Sequence, residues 1–151
     1  MKDFVLSVAA NQALWASFLA WFLAQSVKAA VLTIKEKKFR FNLYALPGGF
    51  PSSHSAAVSA LACSLGFVYG FNSGIFAFAV VFAFFIIYDA RVIRGAAGKQ
   101  AESLNKVIES LDLDQKKDLQ RLKEVLGHSV FEIFWGVMIG IASALVFYGA
   151  A

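Results

Sequence analysis

The chain has 151 residues, of which 59% are hydrophobic and 16% are charged, and its formal net charge is +4. Soluble domains carry about 25% charged residues, so this composition excludes an ordinary water-soluble protein and is typical of a membrane protein. The single cysteine, Cys63, lies in an apolar run, and it predicts neither an internal disulfide nor a metal site.

The first apolar segment, residues 14–34, is long enough for one membrane-spanning helix. Gln25 and Lys28 are three residues apart within it and therefore share a helix face. A charge in the hydrocarbon costs about 2.5–3.5 kcal/mol, so Lys28 either extends its amine to the membrane surface or faces a functional cavity. The basic run that follows includes Lys38. Its cations are interpreted as membrane-surface anchors or as phosphate ligands.

The densest chemical signal is the sequence Gly-Gly-Phe-Pro-Ser-Ser-His-Ser at 48–55. Its glycines and proline exclude a regular helix, and a serine just before the apolar run that begins at Ala56 is typical of a helix N-cap. Helix N-termini favour anions, because their first N–H groups lack partners and the helix dipole is positive there. The segment therefore predicts either a phosphate site with His54 as proton donor, or a capped helix with an incidental histidine.

Three more apolar helices are predicted, at 54–70, 75–88 and 130–148, and Asp89 is expected to end the second of these. Charged residues alternate through 89–129, which predicts a soluble excursion of two helices.

The spacing of two residue pairs in these segments makes predictions about helix faces and helix packing. Asp89 and Arg94 are five residues apart, so they are not expected to share a face of an α-helix. Gly136 and Gly140 form a G-x3-G pattern, which favours close helix packing and leaves self-association open.

The order of the helices predicts which loops share a membrane face. With four spanning helices, the loop at 35–53 and the excursion at 89–129 fall on one side. All of the 14 Lys and Arg residues except Lys2 and Lys28 lie in these two segments, so the positive-inside rule predicts that this side is cytoplasmic. The expected fold is therefore a single all-α domain over 1–151. It is an integral membrane bundle of four transmembrane helices with a cytoplasmic helical excursion.

The only two histidines of the sequence are expected in the first turns of the second and fourth spanning helices, on that same face. Glu132 follows His128 by four residues, so it can orient that imidazole. An oriented histidine can act as a nucleophile, and His54 can protonate a leaving oxygen. Cations and helix-start N–H groups can hold phosphoryl oxygens, and this set of residues requires neither a metal nor a cofactor.

These motifs resemble those of the type-2 phosphatidic acid phosphatase superfamily, which includes the vanadium haloperoxidases and carries the patterns K-x6-R-P, P-S-G-H and S-R-x5-H-x3-D. Pro51-Ser52-Ser53-His54 looks like the second pattern, and His128-x3-Glu132 looks like the end of the third, with Glu in place of Asp. The chain resembles more closely the small divergent branch of that superfamily found in bacteria and plants. The marks of this branch are Gly-Gly-Phe-Pro-Ser-Ser-His-Ser-Ala at 48–56, Tyr88-Asp89-Ala90 with Arg94, Ala-Gly-Lys-Gln at 97–100, Leu104-Asn105, and Leu-Lys-Glu-Val-Leu-Gly-His at 122–128.

The resemblance implies that His128 is the nucleophile that becomes phosphorylated and that Glu132 orients it. It implies that His54 is the acid for the leaving group and then the base that activates water. The third-motif arginine of the superfamily would fall at Leu122, so another cation must replace it. The candidate phosphate-binding residues are Lys28 in place of the first-motif lysine, Lys38, Ser52, Ser53, Arg94 and Lys123.

The function expected from these residues is hydrolysis of a lipid or isoprenoid phosphate, either a phosphomonoester or a pyrophosphate, in a bacterial inner or plasma membrane or an organelle membrane. The missing arginine favours an alternative, a non-catalytic protein that binds anionic lipid or transports lipid with the same pocket. No nucleic-acid partner is expected. Because four helices enclose little space, a homodimer is a further expectation.

Overall fold

A computed structural model of the chain describes residues 1–37, 48–111, 121–122, 124 and 127–149. Its helices are α1 (Lys2–Ala9), α2 (Gln12–Glu36), α3 (Ser53–Tyr69), α4 (Gly74–Tyr88), α5 (Arg94–Ser110) and α6 (Val130–Tyr148). A π turn, Asp89–Ile93, joins α4 to α5 without a break.

The described part of the chain is a helical membrane bundle. Three of its helices are long and apolar enough to cross a membrane: α2, the continuous 37-residue helix from Gly74 to Ser110, and α6. Helix α3 is apolar but shorter, with 17 residues. This architecture confirms the predicted fold class, an all-α integral membrane bundle. The bounds of the individual spans and the cytoplasmic side stay predictions.

Small residues form the interior of the bundle, and large apolar side chains face outward. Ala20, Ala24, Ala56 and Ala60 form one fully buried cluster where α2 meets α3. Phenylalanines such as Phe78 on α4 are exposed on the outer surface. This arrangement suits a lipid environment, because lipid tails solvate apolar side chains and helices gain most from close backbone contact.

Helix α3 is the centre of the bundle, since it packs against α2, α4 and α6. The contact between α3 and α6 uses the G-x3-G pattern of α6. A Cβ atom added to Gly136 would collide with the carbonyl oxygen of Ser52, and one added to Gly140 would collide with that of Ala56. The pattern therefore packs α6 against the start of α3 within one chain.

The N-terminal helix α1 is not predicted from the sequence. It turns into α2 through Asn11, whose Oδ1 accepts a hydrogen bond from the N–H of Leu14 at 3.0 Å and so caps α2. The indole N–H of Trp15 donates to the carbonyl oxygen of Ala9 at 2.9 Å. These two bonds fix the corner between α1 and α2.

The regular α-helix Gly74–Tyr88 ends before Asp89, as predicted, but the chain does not leave helical structure there. Asp89 keeps a helical backbone conformation (φ −55°, ψ −52°), and the helix runs on to Ser110. No proline or left-handed glycine stands at 88–94 to stop it, and one wider turn absorbs the change from apolar to charged sequence. The second helix predicted for the excursion falls mostly on residues outside those that the structure describes.

Candidate active site

The first turn of α3 is held against the start of α6. Ser52 is the N-cap of α3, and its Oγ accepts hydrogen bonds from the N–H of Ser55 at 3.3 Å and from the Ser55 hydroxyl at 2.9 Å. The N–H of Ser52 donates to the carbonyl oxygen of Glu132 at 3.0 Å. Ser52 and Ser53 are both buried. A serine therefore caps α3 as predicted, but the capping residue is Ser52, four residues before Ala56, and it joins the two helices that carry the histidines.

His54 is the second residue of α3, as the sequence predicts. The N–H groups of Ser53 and His54 belong to the first turn, where no helical carbonyl can accept from them. Neither has a hydrogen-bond partner within the ranges described above. The start of α3 therefore presents two backbone donors next to an imidazole.

His128 lies one residue before the N-cap of α6, and not in the first helical turn as predicted. The reason is a capping box. The Oγ of Ser129 accepts from the N–H of Glu132 at 3.2 Å, and Oε2 of Glu132 accepts from the N–H of Ser129 at 2.9 Å. Since Ser129 is the cap, His128 sits just outside the helix.

The capping carboxylate also holds the imidazole. Nδ1 of His128 lies 3.0 Å from Oε2 of Glu132, and the His128 side chain is only 3% exposed. A carboxylate accepts a hydrogen bond from Nδ1–H, so Nε2 is the nitrogen that keeps its lone pair in the neutral ring. The predicted pairing of His128 with Glu132 is therefore present, with the unprotonated nitrogen on the far side of the ring.

The two histidine rings lie next to each other in an edge-to-face arrangement. Their centroids are 6.4 Å apart, and the ring planes meet at 60°. Charged groups of Lys28, Arg94 and Asp89 all act electrostatically on His54. The site is therefore a cluster of two imidazoles and several charges at one end of the bundle.

Lys28 reaches this cluster from the interior of α2. The residue is only 2% exposed, and its charge interacts with that of Glu132. Its aliphatic stem passes Gly49, where an added Cβ would lie 3.7 Å from both Cγ and Cδ of the lysine. Gly49 has a φ of +83°, a conformation that favours glycine. The structure therefore places this lysine inside the bundle, next to the histidine cluster.

The π turn contributes Asp89, Ala90 and Arg91 to the site, and Arg94 follows directly at the start of α5. Nε of Arg94 donates to Oδ2 of Asp89 at 3.2 Å. The N–H of His128 donates to the carbonyl oxygen of Ala90 at 3.0 Å, and Nη1 of Arg91 donates to the carbonyl oxygen of His128 at 3.4 Å. The expectation that Asp89 and Arg94 lie on different faces is wrong, because it assumes α-helical spacing where the chain makes a π turn.

Gly127 allows this close approach of the His128 segment to the π turn. A Cβ added to Gly127 would lie 2.8 Å from Cα of Gly95 and 2.9 Å from its backbone nitrogen. These atoms belong to the backbone, so they cannot rotate away. A cleft of about 640 Å³ adjoins this contact, and Arg91, Lys99, Glu124 and His128 are among the residues that line it.

Asn105 anchors the chain ahead of Gly127. Its Oδ1 accepts from the N–H of Leu122 at 2.9 Å, and its Nδ2 donates at 2.8 Å both to the carbonyl oxygen of Leu122 and to Oε1 of Glu124. The hydrogen bonds from Asn105 and from Arg121 lower the pKa of the Glu124 carboxyl below its ordinary value. Leu122 occupies the position at which the superfamily has its third-motif arginine. Its backbone is therefore bound to Asn105 on α5, and its side chain is exposed.

The structure brings together most of the predicted site residues and adds others. His54, His128, Glu132, Lys28 and Arg94 converge, with Ser52 and Ser53 at the start of α3. Lys38 and Lys123 lie outside the described residues. The described part of the chain contains no group of three His, Cys, Asp or Glu side chains that could hold a metal ion.

Three residues that support the site were missed from the sequence: Asp89, Arg91 and Ser129. The S-x-x-E spacing of Ser129 and Glu132 is a capping-box pattern that could have identified Ser129. The contributions of Asp89 and Arg91 depend on the π turn, which the sequence pattern does not mark.

Comparison with known proteins supports the same family. Residues 9–143 match the family model described as the Divergent PAP2 family. The uncharacterized membrane protein YuiD of Bacillus subtilis (strain 168) is 36% identical over 147 residues, which cover 90% of this chain and 93% of that protein. No solved structure matches. The resemblance drawn from the motifs is thereby confirmed, and the chain belongs to the Divergent PAP2 family.

Proposed function

We propose that this protein is a metal-independent membrane phosphatase that hydrolyses a lipid or isoprenoid phosphate through a phosphohistidine. The observation that carries the proposal is the arrangement of the two histidines. His128 is held through Nδ1 by Glu132, and the centroid of its ring lies 6.4 Å from that of His54. This is the geometry that a nucleophile with an orienting carboxylate and a separate proton donor requires.

In the first step, the lone pair on Nε2 of His128 attacks the phosphorus atom and forms a P–N bond. The P–O bond to the lipid breaks, and His54 gives its proton to the leaving oxygen. The Glu132 carboxylate stabilises the positive charge that develops on the His128 ring. Lys28, Arg94 and the N–H groups of Ser53 and His54 can hold the phosphoryl oxygens while charge builds on them.

In the second step, water attacks the phosphorus atom and the P–N bond breaks. His54, which is now neutral, accepts a proton from that water, and His128 leaves with its lone pair restored. The products are inorganic phosphate and the lipid alcohol, or the lipid monophosphate if the substrate is a pyrophosphate. Both histidines return to their starting protonation states, so the cycle balances.

The test is phosphate release by purified protein in detergent without divalent metal, over a panel of lipid and isoprenoid phosphates. His128→Ala and His54→Ala should abolish release. Lys106→Ala should not, because that lysine is exposed and forms its ion pair with Glu102 on the same helix, α5. An acid-labile and base-stable phosphoryl label on the parent that His128→Ala lacks would be the expected intermediate. Release that persists in His128→Ala would overturn the mechanism.

A second candidate is a protein that binds anionic lipid or transports lipid without turnover. The observation that favours it is Leu122, which stands where the superfamily has its third-motif arginine and is tied by its backbone to Asn105. Under this alternative the parent releases no phosphate from any substrate, yet it still binds inorganic phosphate or a phospholipid headgroup. Lipid movement across vesicles that contain the protein would distinguish transport from simple binding.

A further inference from the structure

The ion pair between Asp89 and Arg94 joins two side chains that would not meet in a regular α-helix. In an α-helix, five residues advance about 140° beyond one full turn, so residues five apart lie on different faces. The π turn brings these two together with a separation of 3.2 Å between Nε and Oδ2. Such turns occur mostly as single insertions in α-helices and are frequent at functional sites.

Stability does not account for this pair. The side chains of Asp89 and Arg94 are 43% and 40% exposed, and ion pairs at that exposure contribute little to folding. The pair does determine which nitrogens of Arg94 stay available. Asp89 engages Nε, and neither terminal nitrogen of that guanidinium is hydrogen-bonded to any residue that the structure describes. The two terminal NH2 groups of Arg94 therefore remain available while Asp89 holds Nε.

The terminal nitrogens of Arg94 matter because this side chain lies near His54. Arg94 acts electrostatically on His54, and so does Asp89. The Leu122 position, which would supply an arginine in the wider superfamily, is held by Asn105 with its side chain exposed. Position 122 therefore supplies no guanidinium to the site, and Arg94, the first residue after the π turn, supplies one from a different part of the chain.

We propose that Asp89 is a positioning residue, which fixes Nε of Arg94 so that the two terminal nitrogens bind phosphoryl oxygens beside His54. The inference rests on the proposed function, because it assigns the anion contact of that same site. A guanidinium presents its N–H groups in a rigid plane, so a bond to Nε also limits the orientation of the two terminal nitrogens. Asp89 itself does not touch the substrate.

The experiment compares Asp89→Asn, Asp89→Glu, Arg94→Ala and the double variant Asp89→Asn/Arg94→Ala with the parent. Arg94→Ala should lower kcat/KM by about 10²- to 10³-fold, as for loss of one donor to a developing charge. Asp89→Asn should lower it by about tenfold to a hundredfold, because the guanidinium is still present but no longer held in place. Asp89→Glu should recover part of that loss.

The double variant separates positioning from a structural role. If Asp89 acts through Arg94, then Asp89→Asn has no further effect once Arg94 is alanine. A merely structural Asp89 would give losses that multiply, together with a lowered melting temperature in detergent. Glu102→Gln, which breaks the exposed Lys106–Glu102 pair on α5, is the matched control and should leave kcat/KM unchanged.

Binding of inorganic phosphate, measured by calorimetry, is a readout that does not need turnover. Asp89→Asn should weaken phosphate binding and Asp89→Glu should restore part of it, whether or not the parent hydrolyses lipid. If the parent hydrolyses lipid phosphate and Asp89→Asn matches it in both kcat/KM and phosphate binding, the positioning role is wrong and the phosphatase stands. If the parent neither turns over nor binds phosphate, both proposals are overturned.

Discussion

Oε2 of Glu132 lies 3.0 Å from Nδ1 of His128 and 2.9 Å from the backbone nitrogen of Ser129, so one carboxylate oxygen both orients the imidazole and caps helix α6. The nucleophile is thereby fixed to the first turn of a membrane helix. Any movement of the helix start moves the imidazole with it. The two duties of Glu132 can be separated by substitution.

Glu132→Gln should keep the fold and lose the reaction. Glutamine also completes a capping box, so the melting temperature in detergent should change little. An amide cannot stabilise a positive imidazole and can donate to Nδ1, which favours the wrong tautomer. Phosphate release should therefore fall by about a hundredfold or more.

Ser129→Ala is the complementary variant. It removes the N-cap, which should destabilise the protein by about 1 kcal/mol, while the Glu132 carboxylate remains near His128. Its turnover should therefore exceed that of Glu132→Gln, although its melting temperature is lower. If Ser129→Ala had the lower turnover and the higher melting temperature of the two variants, Glu132 would not both orient His128 and cap α6.

Gly127→Ala should displace His128. The added Cβ would press on Cα and N of Gly95 at under 3 Å, so the segment must move away from the π turn and lose the bond from the His128 N–H to Ala90. We expect turnover to fall by about tenfold to a hundredfold, as for a misplaced catalytic group. Gly95→Ala is the matched control, since a Cβ there meets nothing within 4 Å. Equal turnover in the two variants would show that this contact does not hold the site.

Gly140→Ala should destabilise the bundle. A Cβ at this position would lie 2.9 Å from the backbone nitrogen of Ala60 and would collide with the carbonyl oxygen of Ala56. Overpacking of this kind typically costs about 1–3 kcal/mol, which thermal unfolding in detergent would register. Gly74→Ala, where the new methyl meets open space, should leave the midpoint unchanged or raise it slightly. A Gly140→Ala protein as stable as the parent would contradict the close packing of α6 on α3.

The tether at Asn105 should weaken in acid. Hydrogen bonds from Asn105 and from Arg121 lower the pKa of Glu124, so the ionised carboxylate stabilises the folded state. That contribution is fully present above the unfolded pKa of about 4.3 and is lost as the pH falls through the lower folded value. The melting temperature of the parent should therefore exceed that of Glu124→Gln at pH 7, and the two should converge below about pH 4. A gap that stays constant with pH would contradict this assignment.

The sequence predicts the elements whose signals are local. A serine ahead of an apolar run predicts a capped helix start, although only the structure shows that the cap is Ser52, and the pairing of His128 with Glu132 follows from a four-residue spacing. Both are short-range relationships that hold in any helix start. The apolar runs likewise predict the membrane helices, since their length and composition suffice.

The π turn could not be predicted in the same way. Asp89 is the first charge after an apolar helix, and such a charge ordinarily marks a helix end at the membrane boundary. The turn forms because Ala90 and Arg91 meet His128, which lies 37 or more residues further along the chain. A contact of that range has no periodic signature, so the pairing of Asp89 with Arg94 emerges only from the three-dimensional structure.

The π turn also sets the rotational phase of α5 relative to α4. A π turn holds one residue more than an α-helical turn, and each residue of an α-helix advances about 100° and 1.5 Å. If residues 89–93 formed a regular α-helix instead, Asn105 and Gly95 would be rotated by about 100° around the helix axis, away from Leu122 and Gly127. The outer half of this helix would then present a different face to the chain that carries His128. The one extra residue of the π turn thus determines how α5 is rotated relative to the membrane bundle.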